Sequence, residues 1–387
     1  MRSFSVKKHN FNIRTNTKHI ANGDVFFCFP QAETYITIDV LNKASIVYAV
    51  EGFCDRVFNK NNDINARYND YQSKIIEVAQ QDFYSLFIEN LKERYKVPRY
   101  LCAITGTKGK TSTCWFVLQM MNLSGKKCGY IGTIGAYYTS GIGAVNYGTD
   151  GIKEIQKEDT LTTPFADEMY YFLDYMFRNN VENVVFEASS HALEQHRISG
   201  LHVNVSGFTN LSQDHLDYHQ TMEKYLLAKE KLFSEYQHAS DIAIINGDDF
   251  VAGDVVRTCK SNNLRVKTFG ENDGNDCRIV DIQMKDGIQF VKFKHNNKEY
   301  FFKTDILGTF QVKNLILALL IAEENGCDID FLCKNMSKII APNGRMQRVS
   351  RQYNDIFVDY AHTPKSLEEI SGLSASKQAF SRIIRFI

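Results

Sequence analysis

The sequence lacks the features that mark membrane and secreted proteins. Its first residues, MRSFSVKKHNFNIR, contain no apolar core of the signal-peptide type, and its longest apolar stretch, residues 315–322, is far too short to span a bilayer. Its nine cysteines form no C-x-x-C pair, which argues against a disulfide framework or a zinc–thiolate site. We therefore expect a cytoplasmic protein with reduced, mostly structural thiols.

An excess of charge of either sign is also missing. Lysine plus arginine and aspartate plus glutamate are equal at 45 each. Nothing global thus points to nucleic acid or to an anionic membrane, and we expect neither as a partner. The length of 387 residues is enough for two or three domains with sizeable cores. The composition predicts an ordinary enzyme, expected to be a monomer, whose ligands must be inferred from local motifs.

The clearest local motif is a glycine-containing turn between a predicted strand and a predicted helix. Residues 100–121 read YLCAITGTKGKTSTCWFVLQMM. Gly106 and Gly109 allow backbone N–H groups to approach phosphate oxygens, Lys110 can reach the outer phosphates, and Thr111 can bind Mg²⁺. The motif is a shorter variant of the usual phosphate loop, because Ile104 stands where the first glycine belongs. An ordinary glycine turn is the alternative, but it does not explain a Gly-Lys-Thr triplet at the helix start.

The order of apolar segments predicts an α/β fold in three blocks. Residues 1–98 form a small domain with strands near 24–29 and 46–50, a polar loop at 59–69 and a helix over 73–95. Residues 99–340 alternate strands with helices, which predicts a mainly parallel sheet covered on both faces. Its strands are expected at 101–105, 128–131, 181–187, 203–209, 241–246 and 266–269. An antiparallel appendage follows at 278–303, with a turn at Asn296-Asn297, before a helix over 312–324. Residues 341–387 supply one strand, 356–360, and one helix.

Two further clusters of polar residues follow apolar strands. Glu187 ends a predicted strand, where its carboxylate can hold Mg²⁺ directly or through water. Asp214, His215, Asp217 and His219 lie within six residues of one another. They can bind a metal, orient a phosphate, or merely cap the helix that begins near Met222. Their position after a phosphate loop favours nucleotide chemistry.

In this order, the motifs of the chain resemble those of the Mur ligase family, and within it the MurE type. The segments that carry the resemblance are ITGTKGKTS (104–112), LTTP (161–164), E-x-SSHAL-x-x-x-R (187–197), TNLSQDHLDYH (209–219), Y-x-x-AK (225–229), GTFQVKN (308–314), GRMQRV (344–349) and DYAHTP (359–364). The segment NTKHIANGDVFFCFP near the start resembles the family's UDP-sugar segment, with Thr17-Lys18 in place of the usual Ser-Arg. The resemblance implies a three-block Mur ligase architecture: a UDP-sugar domain, a central ATP-binding domain and a Rossmann-like third domain.

The resemblance also implies a reaction. ATP phosphorylates the terminal carboxylate of UDP-MurNAc-L-Ala-D-Glu, and the amine of a diamino acid, lysine or meso-diaminopimelate, attacks the acyl phosphate. Lys110, Lys229 and His215 are the implied catalytic residues. Mg²⁺ would be held by Thr111, Glu187, His215 and a carbamylated Lys229. From its own context, Lys229 could equally be a solvated helix lysine, since Lys224 and Lys231 lie nearby.

The remaining implied contacts divide between nucleotide and precursor. The resemblance assigns to ATP binding Gly106, Thr107, Lys108, Gly109, Lys110, Thr111, Ser112, Asn314, Arg345 and Asp359. It assigns to the UDP-muramoyl dipeptide Thr17, Thr162, Thr163, Ser189, Gln195 and Arg197.

Three interpretations of function stay open from the sequence. The first is a ligase of peptidoglycan precursor synthesis, which SSHALEQHR favours; the second is another ligase of the same fold, such as a folylpolyglutamate synthase. The third is an inactive remnant that binds nucleotide and precursor. It is motivated by the last block, which holds only the start of a Rossmann-like domain and ends in SRIIRFI.

Overall fold

The computed structural model describes residues 12–60, 62–140, 147–156, 161–350, 356–359 and 382–385. Their contacts group the chain into two compact units. The first comprises residues up to Val97 together with Phe165–Asp174 and Ile198–Gly200, and the second comprises Pro98–Pro164, Tyr175–Arg197 and the chain from Leu201 onward. The predicted third block, from residue 341, stays a prediction.

The first unit is built on a four-stranded parallel sheet in the order β1-β2-β3-β4. Its strands are β1 (Ile13–Arg14), β2 (Val25–Cys28), β3 (Ile46–Val50) and β4 (Ile75–Val78). Its helices are α1 (Ile38–Lys43), α2 (Phe53–Phe58), α3 (Asn62–Asn65), α4 (Tyr68–Tyr71) and α5 (Gln80–Arg94), with 3₁₀ turns at Thr17–His19, Pro30–Tyr35 and Gln72–Lys74. Apolar residues of β2, β3, α1 and α2 form its core.

Two predictions for this unit were wrong. The helix expected over 73–95 begins only at Gln80, because the β-branched pair Ile75-Ile76 joins the sheet as β4 and pairs with β3. The polar stretch 59–69 is not a plain loop, since it contains α3 and the start of α4. Tertiary pairing and packing therefore override the local pattern at both places.

The second unit contains an eleven-stranded sheet in the order β15-β14-β13-β12-β11-β10-β5-β9-β6-β7-β8. Its strands are β5 (Tyr100–Thr105), β6 (Cys128–Gly132), β7 (Gly135–Thr139), β8 (Ile152–Gln156), β9 (Asn183–Glu187), β10 (Val205–Phe208), β11 (Ile242–Asn246), β12 (Arg265–Gly270), β13 (Cys277–Lys285), β14 (Ile288–His295) and β15 (Lys298–Thr304). The strands from β13 to β6 in this order pair in parallel, so the predicted mainly parallel central sheet is confirmed.

Antiparallel strands extend the sheet at both edges. At one edge β13, β14 and β15 form the predicted appendage, and Asn296 and Asn297 turn with positive φ, as expected for a tight hairpin. The prediction missed the earlier turn at Asp286-Gly287, which divides the stretch into three strands. It also missed β7 and β8 at the other edge.

Helices connect the parallel strands of the second unit. They are α6 (Lys110–Leu123), α7 (Ala166–Arg178, which crosses the division between the units), α8 (Ser190–Glu194), α9 (Leu216–His219), α10 (Met222–Glu235), α11 (Ala252–Ser261), α12 (Thr309–Glu324) and α13 (Ile329–Asn335), followed by a 3₁₀ turn at Met336–Lys338. Three last strands, β16 (Gln347–Ser350), β17 (Ile356–Asp359) and β18 (Arg382–Arg385), form a small separate sheet. The helix predicted after residue 360 falls outside the described residues.

The core of the second unit lies between the sheet and the helix pair α6 and α12. Both helices are apolar on nearly every side, which is typical of helices that are buried all round. All nine cysteines of the chain are free thiols, and only Cys54 is partly exposed. In the described residues, no helix is both long and apolar enough to cross a bilayer.

Leu317 allows a test of this core. Its side chain on α12 is fully buried, so Leu317→Ala should lower the free energy of unfolding by about 2–5 kcal/mol through lost apolar burial and an unfilled cavity. Leu227 on α10 is 55% exposed, and Leu227→Ala should change stability by less than about 0.5 kcal/mol. Urea denaturation of both variants tests the packing, and equal losses would contradict it.

Candidate active site

The loop between β5 and α6 contains the two glycines of the predicted phosphate loop. Gly106 has a φ of +139° and Gly109 a φ of +87°, which L side chains rarely adopt. A Cβ atom on Gly106 would stand 1.9 Å from Thr209 Oγ1, and one on Gly109 would stand 2.4 Å from Asn314 Oδ1. Both glycines are therefore required by close approach as well as by backbone conformation.

The loop is held in place by the residues that follow β10. The Thr107 N–H donates to Asn210 O at 2.8 Å, and the Lys108 N–H donates to Asn210 Oδ1 at 3.1 Å. The Thr209 hydroxyl donates to Lys108 O at 2.6 Å, and the Thr107 hydroxyl donates to Ser212 O at 3.2 Å. The loop is thereby preorganised, and the first turn of α6 supplies N–H groups that have no acceptor within the helix.

Two lysines reach the same carbonyl oxygen of the loop. Lys110 Nζ donates to Gly106 O at 2.8 Å and to Thr107 O at 2.9 Å, and Lys229 Nζ donates to Gly106 O at 3.0 Å. Burial lowers the pKa of Lys110, and the nearby Glu187 carboxylate opposes this in part. Of the two alternatives for Lys229, the structure excludes the solvated helix lysine, because Lys229 is only 1% exposed.

The environment of Lys229 favours a neutral amine. Burial lowers its pKa well below the ordinary value, and the charge of Lys110 lowers it further. The Tyr225 ring lies 4.2 Å from Nζ, a contact that favours the ammonium and so opposes this lowering. Burial is the largest cause, and it disfavours the charged form of the side chain.

Glu187 ends β9 and is 1% exposed. Its Oε2 accepts from the Thr111 hydroxyl at 2.9 Å, and its Oε1 accepts from the Tyr130 hydroxyl at 2.6 Å and from the Thr133 N–H at 2.8 Å. The Thr133 hydroxyl also donates to Thr162 Oγ1 at 3.2 Å. This network fixes a carboxylate beside the hydroxyl at the start of α6, and both are the hard oxygen ligands that Mg²⁺ prefers.

The histidines of the polar cluster, His215 and His219, pack against the ring of His191 rather than capping a helix. The ring of His191 lies 4.9 Å from that of His215 and 5.4 Å from that of His219. Burial lowers the pKa of His191 to about 4, and burial also lowers the pKa values of His215 and His219. The cap of α10 is Thr221, whose hydroxyl accepts from the Lys224 N–H, so the capping interpretation of residues 214–219 was wrong.

Comparison with known proteins identifies the family to which this chain belongs. The family model "Mur ligase middle domain" matches residues 104–322, more than half of the chain. The chain belongs to the Mur ligase family. It is 34% identical to a UDP-N-acetylmuramoyl-L-alanyl-D-glutamate–2,6-diaminopimelate ligase of Rickettsia montanensis, over 92% of this chain and 68% of that protein. The ligase of the same name from Rickettsia rickettsii is also 34% identical, over 94% of this chain and 71% of that protein.

Solved structures agree with this membership. A structure titled as a diaminopimelate ligase of the same name has a TM-score of 0.72 and 25% identity, over 96% of this chain and 71% of that one. A MurF ligase of Thermotoga maritima, solved in complex with ADP, has a TM-score of 0.58 and 17% identity, over 94% of this chain and 74% of that one. At 17% identity the second likeness is evidence of a shared fold alone. Mur ligases are ATP-dependent enzymes, so a nucleotide site is expected in this fold.

Four of the six residues that the Mur ligase resemblance assigns to the precursor, Thr163, Ser189, Gln195 and Arg197, form one hydrogen-bonded group in the second unit. The Thr163 hydroxyl lies 3.2 Å from Ser189 Oγ and accepts from the Ser189 N–H at 3.0 Å. Arg197 Nη1 donates to Thr163 O at 2.9 Å, and its Nη2 donates to Gln195 Oε1 at 2.6 Å. Thr162 is linked to this side of the site through Thr133, whereas Thr17 belongs to a 3₁₀ turn of the first unit.

Two residues that the resemblance assigns to ATP, Ser112 and Asn314, lie on the neighbouring helices α6 and α12. Asn314 Oδ1 accepts from the Thr113 hydroxyl at 3.4 Å, next to Gly109. Ser112 Oγ lies 3.5 Å from Gln311 Nε2, and both side chains are buried between these helices. Asn314 is therefore placed against the loop, while Ser112 contacts α12.

Arg345 lies just before β16, and Asp359 is the last residue of β17. The positive charge of Arg345 contributes to the lowered pKa of Lys110, after the larger effect of burial. Asp359 Oδ2 accepts from the Met346 N–H at 2.7 Å. The rest of the DYAHTP segment, residues 360–364, lies outside the described residues.

Sequence reasoning missed two residues that shape the site, Tyr130 and Thr133, which both hold Glu187. Thr133 follows the apolar strand β6, the same signal that identified Glu187 after β9. Tyr130 is inside β6, where the sequence gives it no sign other than that of a core aromatic. Tyr225, which begins the Y-x-x-AK motif, lies against Lys229, a contact that the motif alone did not predict.

Proposed function

We propose that this chain is the ATP-dependent ligase that joins 2,6-diaminopimelate to UDP-MurNAc-L-Ala-D-Glu. The observation that carries the proposal is the meeting of Lys110, Thr111, Glu187 and Lys229 beside the carboxyl ends of parallel strands in a Mur ligase. The names of relatives at 34% identity support the diamino acid. A monomeric state and a cytoplasmic location stay predictions.

Mg²⁺ is the metal that the residues fit. Thr111 Oγ1 and Glu187 Oε2 offer a hydroxyl and a carboxylate 2.9 Å apart. A bound Mg²⁺ would neutralise phosphate charge at this point. His215, whose pKa is lowered mainly by burial, and Lys229 as a carbamate would hold a second ion.

Carbamylation of Lys229 follows from its neutral form. The amine nitrogen attacks the carbon of CO₂, an N–C bond forms, one C=O π bond becomes the carboxylate, and the amine releases one proton to solvent. The side chain thereby changes from a cation into an anion with two oxygen ligands. A lysine held as an ammonium has no lone pair for this step, so the lowered pKa of Lys229 supports it.

The reaction then needs charge neutralisation and alignment. Transfer of the γ-phosphoryl group breaks its bond to ADP and forms an acyl phosphate on the precursor carboxylate. The diaminopimelate amine attacks the carbonyl carbon, phosphate leaves with the electron pair, and the new amide nitrogen loses a proton to solvent. In this proposal Lys110 neutralises the transferred group, while the loop and the first turn of α6 align it.

The precursor would be bound by the hydrogen-bonded group of Thr163, Ser189, Gln195 and Arg197 described above, and Thr17 is a contact that the resemblance adds. Arg197 is suited to an anionic group, because its guanidinium offers planar paired donors. The proposed precursor contacts are Thr17, Thr162, Thr163, Ser189, Gln195 and Arg197. The proposed ATP contacts are residues 106–112, Asn314, Arg345 and Asp359.

A substrate-matrix assay tests the proposal. Purified protein is supplied with Mg-ATP, UDP-MurNAc-L-Ala-D-Glu and either meso-diaminopimelate or L-lysine, and ADP release is measured together with the product mass. We expect ADP and a tripeptide product with diaminopimelate only. Product with lysine would correct the specificity. ATP turnover with a folate and glutamate, and none with the precursor, would overturn the proposal in favour of a folylpolyglutamate synthase. Nucleotide and precursor binding with no product from any mixture would favour the inactive remnant.

Glu187→Gln tests the metal assignment. The amide keeps the size and one oxygen of Glu187 but removes the charge that binds Mg²⁺, so the apparent Mg²⁺ affinity should fall at least about 10-fold. Glu182 lies exposed before the amino end of the same strand, and Glu182→Gln is the matched control. The Mg²⁺ dependence of ADP release provides the measurement, and an equal Mg²⁺ requirement in both variants would contradict the assignment.

A further inference from the structure

Two histidines and an aspartate converge in the second unit away from the residues discussed so far. His202 Nε2 lies 2.7 Å from Asp241 Oδ2, and the rings of His202 and His238 stack with centroids 4.0 Å apart. One potential ligand atom from each side chain lies within 4.8 Å of the other two. Their arrangement thus brings together two imidazoles and one carboxylate that the ligase proposal does not use.

The backbone holds these three residues in a fixed relation. The Val203 N–H donates to Tyr236 O at 2.8 Å, and the Ile242 N–H donates to Asn204 O at 3.2 Å. The Asp241 N–H donates to His238 O at 3.0 Å. Each of the three side chains belongs to a residue that takes part in one of these hydrogen bonds or is next to such a residue in the chain. The segments that carry the three side chains are therefore joined to one another before any metal ion binds.

The carboxylate is oriented by a bond of its own. Asp241 Oδ2 accepts from the His238 backbone N–H at 2.6 Å, and the Asp241 side chain is 15% exposed. The two imidazoles are more accessible, with His202 partly exposed and His238 exposed. A fixed carboxylate beside two adjustable imidazoles is a suitable geometry for a metal ion that also keeps water ligands.

We propose that His202, His238 and Asp241 bind a divalent transition-metal ion and that Zn²⁺ is the preferred ion. Two imidazole nitrogens with one carboxylate suit Zn²⁺, Ni²⁺ or Cu²⁺, whereas Mg²⁺ and Ca²⁺ prefer sites in which most ligands are oxygen atoms. Zn²⁺ bonds of about 2.0–2.1 Å in a tetrahedral arrangement place ligand atoms about 3.3 Å apart. The exposed His238 ring has room to make the small adjustment from its stacked position.

The proposed site is separate from the nucleotide site along the strands. His202 precedes β10 and Asp241 immediately precedes β11, so both lie at the amino ends of these strands. The residues that hold the phosphate loop, Thr209 and Asn210, follow the carboxyl end of β10. A metal at His202, His238 and Asp241 would therefore join the starts of two neighbouring strands and stabilise the unit without serving the phosphoryl transfer.

Zn²⁺ titration of His238→Gln tests the site. The substitution removes one ligand but retains the backbone bond to Asp241, and His238 contacts His202 only through ring stacking in the described contacts. Binding of Zn²⁺, Ni²⁺ and Mg²⁺ is measured by calorimetry and by competition with a chromogenic Zn²⁺ indicator, in the presence of excess Mg²⁺. We expect one equivalent of Zn²⁺ on the wild-type protein and at least a 10-fold weaker affinity for it in His238→Gln.

His196→Gln is the matched control, because His196 is also a partly exposed histidine near a carboxylate, at 4.0 Å from Glu235. It should retain the Zn²⁺ affinity of the wild type, and His202→Gln should lose it as His238→Gln does. Zn²⁺ should raise the melting temperature of the wild type but not of the two site variants. Equal Zn²⁺ affinities in the wild type and both site variants would overturn the proposal, as would a clear preference for Mg²⁺.

Discussion

Lys110→Met should lower kcat/KM for ATP by about 10³-fold or more, while the protein stays folded. Methionine keeps the length of the side chain but removes the cation, and cationic groups at transferring phosphates are worth about that factor or more. In the structure Lys110 Nζ donates to two loop carbonyls near Glu187, the place where we propose that the phosphates bind. Steady-state ADP release and calorimetric ATP binding measure the effect.

The same helix offers a control for this prediction. Lys126 lies just past the carboxyl end of α6, and Lys126→Met removes a cation from the opposite end of the helix. It should leave kcat/KM for ATP within about 3-fold of the wild type, because a partly exposed charge about a helix length away is largely screened. A folded Lys110→Met protein with unchanged ATP kinetics would refute the phosphate-loop assignment.

Lys229→Met should lower the rate of diaminopimelate-dependent ADP release by about 10²–10³-fold with less effect on ATP binding. It removes the group that we propose as a metal-binding carbamate, and loss of one preorganised electrostatic group typically costs that much. Because methionine retains most of the buried volume and introduces no charge, we expect the fold to persist. The rate is measured at saturating ATP with all three substrates.

Two further variants separate the carbamate from a simple cation. Lys229→Arg keeps a positive charge but cannot form this carbamate, so it should be as slow as Lys229→Met if the proposal holds. Lys224→Met, on an exposed position of the same helix, should be unaffected. Wild-type activity should also rise with added bicarbonate after CO₂ has been removed. An active Lys229→Arg enzyme would show that the ammonium is the working form.

The sequence predicted the central sheet well because its strands are continuous apolar runs. The strands expected at 101–105, 128–131 and 241–246 match β5, β6 and β11 within a residue. A fully buried parallel strand has no polar face, so its pattern is unambiguous when it is bounded by turns. The edge strand β8 escaped notice because its sequence, IKEIQ, is partly polar and largely exposed, and its neighbour β7, GAYYT, has no aliphatic run.

The first unit shows the limit of local reasoning. Residues 75–78 follow a helical stretch and precede another, and their pattern alone continues the helix that starts at Gln80. Pairing with β3 decides in favour of a strand, through hydrogen bonds that join residues about 28 positions apart, as in Val47 with Ile75. Such non-local pairs leave no signature within the segment itself.

The phosphate loop and the order of motifs were determined by the sequence alone. Gly106, Gly109, Lys110 and Thr111 are contiguous, and their chemistry depends on a local turn and the start of one helix. For this reason the family, ATP as the nucleotide and Lys110 as its phosphate contact could be predicted before any contact between distant segments was known.

Only the tertiary structure decided how the other groups act. Lys229 is 123 residues from Gly106 in the chain, and its burial against the loop, beside Lys110, is what lowers its pKa. Glu187 meets Thr111 across 76 residues through neighbouring strands of one sheet. The charge state of a side chain depends on its solvation and on nearby charges, and both are set by residues that are distant in sequence and brought together by folding.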